Sequence, residues 1–94
     1  MAGVMKASVS VFGPEVILKQ EVDLDRSSIP LRDLFRSLSE EGGERWDRVL
    51  REDHTPAAAY VVLVNGRNIQ SLQGLETEIH PGDEVVFTVL ISGG

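Results

Sequence analysis

The residues of this chain that could do chemistry are few, and most are poorly placed for it. His54 and His80 are the only histidines. Each stands in a loop or turn close to a proline (Pro56, Pro81), the setting of a surface imidazole rather than of a base or a metal ligand. Ser27, Ser28, Ser37 and Ser39 surround one helical segment, and none has a neighbouring histidine in sequence to activate it. Glu40, Glu41 and Glu44 gather at a helix end, where a solvated, charged terminus is a simpler reading than a cation site. No phosphate-binding or dinucleotide glycine fingerprint is present. The absence of cysteine removes a disulfide scaffold, a thiolate metal site and a thiol nucleophile together. What is left is Ser92-Gly93-Gly94, directly after a strongly apolar strand. A glycine pair is thin and conformationally permissive. It can be threaded, extended, into a narrow channel of a partner protein. There the α-carboxylate of Gly94 becomes a substrate. ATP can turn it into an acyl-adenylate, and a sulfur donor or an amine can then displace AMP.

Such a tail needs a domain to carry it. Val4 to Phe12 reads as a strand, with Val9 and Val11 on one side and Ser8 and Ser10 on the other. Gly13-Pro14 signals a turn. Val16 to Leu24 alternates at period two, with Val16, Leu18, Val22 and Leu24 on one face, so the two strands read as a hairpin. The period then changes. Leu31, Leu34, Phe35 and Leu38 are spaced as one apolar helix stripe. Ser27 and Ser28 are candidate caps, Pro30 suits the first turn, and Gly42-Gly43 ends the helix. A second, shorter helix is expected from Glu44 to Glu52, with Trp46, Val49 and Leu50 inward. Pro56 stops it. Trp46 and Tyr60 read as core or core-rim residues. A strand from Tyr60 meets Asn65-Gly66, the preferred dipeptide of a type I′ hairpin turn. Leu72, Leu75 and Ile79 lie in an irregular helical connection. After the turn at His80-Pro81-Gly82-Asp83 comes a last strand, with Val85, Phe87 and Val89 on one side and Val86, Thr88 and Leu90 on the other.

This order predicts an α+β architecture. It is a β-grasp, or ubiquitin-like, layout: a mixed sheet of about five strands with one main helix and a short second helix on one face, and a late strand parallel to the first. The 94 residues suit one domain, residues 1–94, with an exposed C-terminal tail over 92–94. Nine basic against fifteen acidic side chains, a formal charge of −6, argue against nucleic-acid partners and anionic membrane surfaces. No apolar run approaches the ~18 residues of a membrane span, and the N-terminus lacks a signal-peptide pattern, so the expected location is the cytoplasm.

From Tyr60 onward the pattern is more specific. "VVLVNGRNI", "LQGLETEIHPGDEVVF" and "ISGG" follow one another in this order. With them the chain resembles the ubiquitin-like sulfur-carrier family, which includes the small subunit of molybdopterin synthase and the thiamine-biosynthesis sulfur carrier. The resemblance implies that a ubiquitin-activating-like adenylyltransferase, consuming ATP, adenylates Gly94. The glycine then becomes a thiocarboxylate, with Gly93 and Ser92 as the slender approach to it. It implies a carrier rather than an enzyme, with no bound cofactor and no metal. In the molybdopterin branch the carrier is the non-catalytic small subunit of a complex whose large subunit holds the acceptor site. The length of the stretch Gly42 to Pro56 is closer to that branch than to the minimal thiamine type. "TVLISGG", by contrast, lacks the proline pair usual there. Carriers for thiamine, cysteine synthesis or tRNA thiolation share most of these motifs, and a ubiquitin-like protein modifier would need the same tail. A plain interaction module with an inert tail is a third reading. Val86, Thr88, Leu90 and Ile91 form an apolar strip leading to the tail and are the partner-docking candidates.

Overall fold

In the computed structural model of the chain, residues 5–14 and 16–89 are described. β1 (Lys6–Phe12) and β2 (Ile17–Asp23) form the expected hairpin, in continuous antiparallel register from Lys6 opposite Asp23 to Phe12 opposite Ile17. Each strand is slightly shorter than its pattern. At the tight end Gly13 N–H donates to the Val16 carbonyl, and at the open end Leu24 N–H donates to Met5.

β3 (Ile29–Pro30) leads straight into α1 (Leu31–Glu41). Ser27 and Ser28 do not cap this helix. Pro30 occupies the N-cap position with no side-chain hydrogen bond. The reason is a competing partner: β3 pairs with β6 (Glu78–Ile79), and the Leu31 N–H donates to the Thr77 carbonyl. A strand edge satisfies a donor that a serine would otherwise have taken.

The second helix is a 3-10 helix over Gly43–Arg48, shorter than the Glu44–Glu52 expected. Leu50 is drawn away into a bridge with Pro56, and the Arg51 N–H bonds the Thr55 carbonyl, closing a tight loop instead of another helical turn. Its inner residues are as expected, with Trp46, Val49 and Leu50 all buried. Gly42, at the end of α1, lies against Trp46: a β-carbon there would run into the indole ring and the Leu38 carbonyl.

β4 (Tyr60–Val64) and β5 (Arg67–Asn68) are joined by Asn65 and Gly66 at φ +50° and +84°, the type I′ signature. Two 3-10 turns, Ile69–Ser71 and Gly74–Glu76, make the irregular connection, and Ile79 belongs to β6 rather than to it. β7 (Glu84–Val89) then enters the middle of the sheet, parallel to β1 and antiparallel to β4. The five strands run in the order β2-β1-β7-β4-β5, with α1 and the 3-10 helix on one face. Phe87 is the centre of the core beneath them. Phe35, Trp46 and Tyr60 surround it with ring centroids 5.1, 5.9 and 6.2 Å away. This is the mixed β-grasp sheet that the element order predicts.

Candidate functional site

The face of the sheet away from α1 carries the candidate site, and strand register builds it row by row. Ile17, Phe12, Thr88 and Val61 line up across β2, β1, β7 and β4. The next row is Lys19, Ser10, Val86 and Leu63. The third is Glu21, Ser8 and Glu84, and beyond it Asp23 stands opposite Lys6. The face is therefore graded from apolar to charged. Its apolar row lies at the C-terminal end of β7, the end from which the chain continues toward Ser92-Gly93-Gly94. Phe12 is 54% exposed and Ile17 77%, high values for large apolar side chains. Val86 and Thr88, the described members of the expected docking strip, are half-buried within these rows. Leu90, Ile91, Ser92, Gly93 and Gly94 lie outside the described residues.

Phe12, Ile17 and Val61 extend the strip beyond the residues that β7 supplies. The sequence carries a signal for Phe12: it follows Ser8 and Ser10 at period two, on the face opposite Val9 and Val11. What the sequence lacks is the strand order that sets Phe12 beside Thr88.

At the charged end a polar network holds the register. The Asp83 carboxylate accepts from the His80 N–H at 2.8 Å and from the Asn65 amide at 3.0 Å, and Asn65 Oδ1 accepts from the Glu84 N–H at 2.9 Å. Partial burial pushes the Asp83 carboxyl up, but these hydrogen bonds and the nearby His80 imidazole prevail and hold it below the usual carboxylate range. Lys6 lies 3.8 Å from both Glu21 and Asp23.

The other candidates form no reaction centre. Glu40, Glu41 and Glu44 are exposed, as a solvated helix end requires. Among the described residues no group of histidine and carboxylate side chains is arranged to hold a metal ion. No helix among them is long and apolar enough to cross a membrane. His80 is exposed in its turn as expected, with Nδ1 3.6 Å from Asp83. His54 differs from the surface imidazole expected. It sits at φ +67° in the loop after Leu50, and its Nδ1 is shut away from solvent with no hydrogen-bond partner. It lines a cleft of about 550 Å³ with Ser39, Asp47, Leu50, Arg51 and Glu52. Trp46 is core, and Tyr60 is core-rim.

Comparison with known proteins agrees with this geometry. A protein of Archaeoglobus fulgidus provisionally designated a sulfur carrier is 30% identical over 87 residues, 93% of this chain and 99% of its own length. The crystal structure of SAMP1 from Haloferax volcanii superposes with a TM-score of 0.70 at 23% identity, covering 95% of this chain and 99% of that one. The solution structure of the small archaeal modifier protein 1 from Methanosarcina acetivorans gives a TM-score of 0.61 at 20% identity, covering 99% and 100%. These two likenesses establish the ubiquitin-like fold. The model of the ThiS family matches residues 9–94, nearly the whole length. With a β-grasp sheet and that match over nearly its whole length, this chain belongs to the ThiS family of ubiquitin-like sulfur carriers.

Proposed function

We propose that this chain carries sulfur as a thiocarboxylate on Gly94, and that it is a carrier rather than a catalyst. One juxtaposition supports the reading above all. The apolar row Ile17–Phe12–Thr88–Val61 lies at the end of β7 that leads to Ser92-Gly93-Gly94, and the family match runs through to Gly94. A ubiquitin-activating-like adenylyltransferase docks on that row, with Val86, Leu90 and Ile91 extending the contact, and receives the glycine tail in a narrow channel. Gly94 attacks the α-phosphate of ATP and pyrophosphate leaves. A sulfide-equivalent donor then displaces AMP from the acyl-adenylate. The chain itself holds no cofactor, and the partner consumes the ATP. A reaction that consumes ATP fits the cytoplasm as its location. Ser92 and Gly93 supply slenderness, and a side chain at position 93 or 94 would obstruct the channel.

We assign the large subunit of molybdopterin synthase as the sulfur acceptor. The 42–56 stretch supports it: its length is closer to the molybdopterin branch than to the minimal thiamine type, and it is an integral part of the fold, since Trp46 is fully buried against Phe87 and its Nε1 donates to Gln20 Oε1 at 3.3 Å.

Intact-mass spectrometry tests the proposal. The protein is incubated with ATP, a sulfur donor and an extract that thiolates a known carrier. Replacement of one oxygen by sulfur on the C-terminal peptide, lost on Gly94→Ala, is the expected result. Higher-mass conjugates joined through Gly94 would make the chain a modifier instead, and no product at all would leave an inert tail. If the thiocarboxylate forms, adding the large subunit with its precursor tests the acceptor, and failure to transfer sulfur there overturns only that assignment.

A further inference from the structure

β2 stands at the end of the strand order, so no strand among the described residues pairs with its outer edge. It is a seven-residue strand with no proline and no bulge, the kind of edge that another strand can join. We propose that two copies of this chain pair edge to edge through β2, antiparallel, about a two-fold axis at Gln20.

The backbone determines which residues can take part. Gly13 donates to Val16 and Leu24 donates to Met5, so the even-numbered residues of β2 exchange hydrogen bonds with β1. Ile17, Lys19, Glu21 and Asp23 therefore turn their N–H and C=O groups to the free edge. An antiparallel two-fold pairing must set these odd residues opposite one another, which leaves a small set of registers. Centring on Lys19 places two lysines face to face. Centring on Glu21 places two glutamates face to face. Centring on Gln20 places Lys19 of each copy opposite Glu21 of the other, twice, with Ile17 opposite Asp23 at the ends.

The sequence Ile17-Leu18-Lys19-Gln20-Glu21-Val22-Asp23 is thus charge-complementary to its own reverse. On the inner face the same register sets Leu18 against Val22 of the second copy, both half-buried in the single chain. Charged side chains on an edge strand ordinarily discourage pairing with another chain. Here their spacing makes them attract. Lys19 is free for the role, making no ion pair among the described residues, and the partner of Glu21 is the exposed Lys6 at 3.8 Å, which also reaches Asp23.

The axis runs through the sheet, so the graded faces of both copies lie on one side. The two β7 strands are five strand spacings apart, about 24 Å, and point in opposite directions. Neither β7 strand borders the interface, and of the apolar row only Ile17 does.

Sedimentation equilibrium on the whole chain, up to about 1 mM, tests the proposal. Edge pairing buries less than a standard interface, so a reversible, concentration-dependent dimer is expected, strengthened at low salt. Lys19→Glu and Glu21→Lys should each weaken it roughly tenfold by setting like charges opposite. Mixing the two variants should restore pairing as a heterodimer, because every central pair is then again opposite in charge. Both sites are exposed, so circular dichroism melting should be unchanged in either variant. Because the chain has no cysteine, Gln20→Cys gives a clean register probe, expected to oxidise to a covalent dimer across the axis. A chain that stays monomeric throughout overturns the proposal, whatever else β2 binds. So does a dimer indifferent to both charge reversals, or one that the mixture fails to restore.

Discussion

The two faces of β7 make opposite use of similar residues. Inward, Val85 and Phe87 are fully buried, and Phe87 meets three aromatic rings. Outward, Val86 and Thr88 are only half-covered, and their neighbour Phe12 is more than half exposed. Apolar side chains stabilise a fold in proportion to the surface that they remove from water. Those of the inner face therefore hold the domain together. Those of the outer face contribute little until a partner covers them. One strand carries both the core and the proposed docking surface, and a substitution should tell them apart by what it damages.

The largest effect is expected at Phe87. Phe87→Ala empties the centre of the aromatic cluster and should lower unfolding stability by about 3–5 kcal/mol, read from a denaturant midpoint. That is a large share of the roughly 5–15 kcal/mol typical of a whole domain. A loss below ~1 kcal/mol would break the comparison, because the inner face would then be no more essential than the outer.

Gly42→Ala should come next. The added methyl would run into the Trp46 ring and the Leu38 carbonyl, and overpacking of this kind costs about 1–3 kcal/mol. Trp46 fluorescence during unfolding reports on the same site. An unchanged midpoint would show that the 3-10 helix yields easily and is not a firm part of the core.

Asp83→Ala removes the acceptor that joins the His80 turn to Asn65 and should cost about 1–2 kcal/mol at neutral pH. The sign of its pH dependence follows from the lowered carboxyl. A carboxylate with a depressed folded-state pKa stabilises fully above its unfolded value, near ~3.9, and that contribution is lost as pH falls through the folded value. The stability gap between wild type and variant should therefore be constant from neutrality down to weak acid and close below it. A gap that widens in acid would refute the assignment.

The smallest effect on stability is expected on the outer face. Phe12→Thr keeps a strand-forming residue and should change stability by no more than about 0.5 kcal/mol. If the proposed docking is correct, the same variant should slow Gly94 adenylation roughly tenfold or more, because an anchor of that contact is lost. A variant that unfolds easily yet is adenylated normally would reverse the roles of the two faces.

How much of this was legible beforehand depends on whether a signal is local. The Asn65-Gly66 turn was legible because it is a property of two residues: only certain residue types tolerate positive φ in succession. The inward stripe of α1 and the alternation of β2 were legible because helices and strands repeat at different periods. The N-terminal cap of α1 was not, although the Gly42 end was. Ser27 and Ser28 lost their role to the Thr77 carbonyl, a partner nearly fifty residues away. The second helix is present as expected, but its end was not legible for a related reason, since the bridge between Leu50 and Pro56 stops it at Arg48. His54 read as a surface imidazole, yet its Nδ1 is enclosed by a loop whose closure depends on Arg51 and Thr55.

The candidate site divides along the same line. The tail motif Ser92-Gly93-Gly94, the absence of any thiol, the acidic balance and the order of helix and strands are all readable from the chain alone, because each is a matter of composition, sequence order or local stereochemistry. That Phe12 and Ile17 belong beside Thr88 is not readable there. Nor is the edge that β2 leaves unpaired among the described strands, with Lys19 and Glu21 spaced to meet their own counterparts. Both follow from the insertion of β7 between β1 and β4, a pairing between the two ends of the chain. Hydrogen-bond register then decides which side chains become neighbours, and only the closed sheet sets that register.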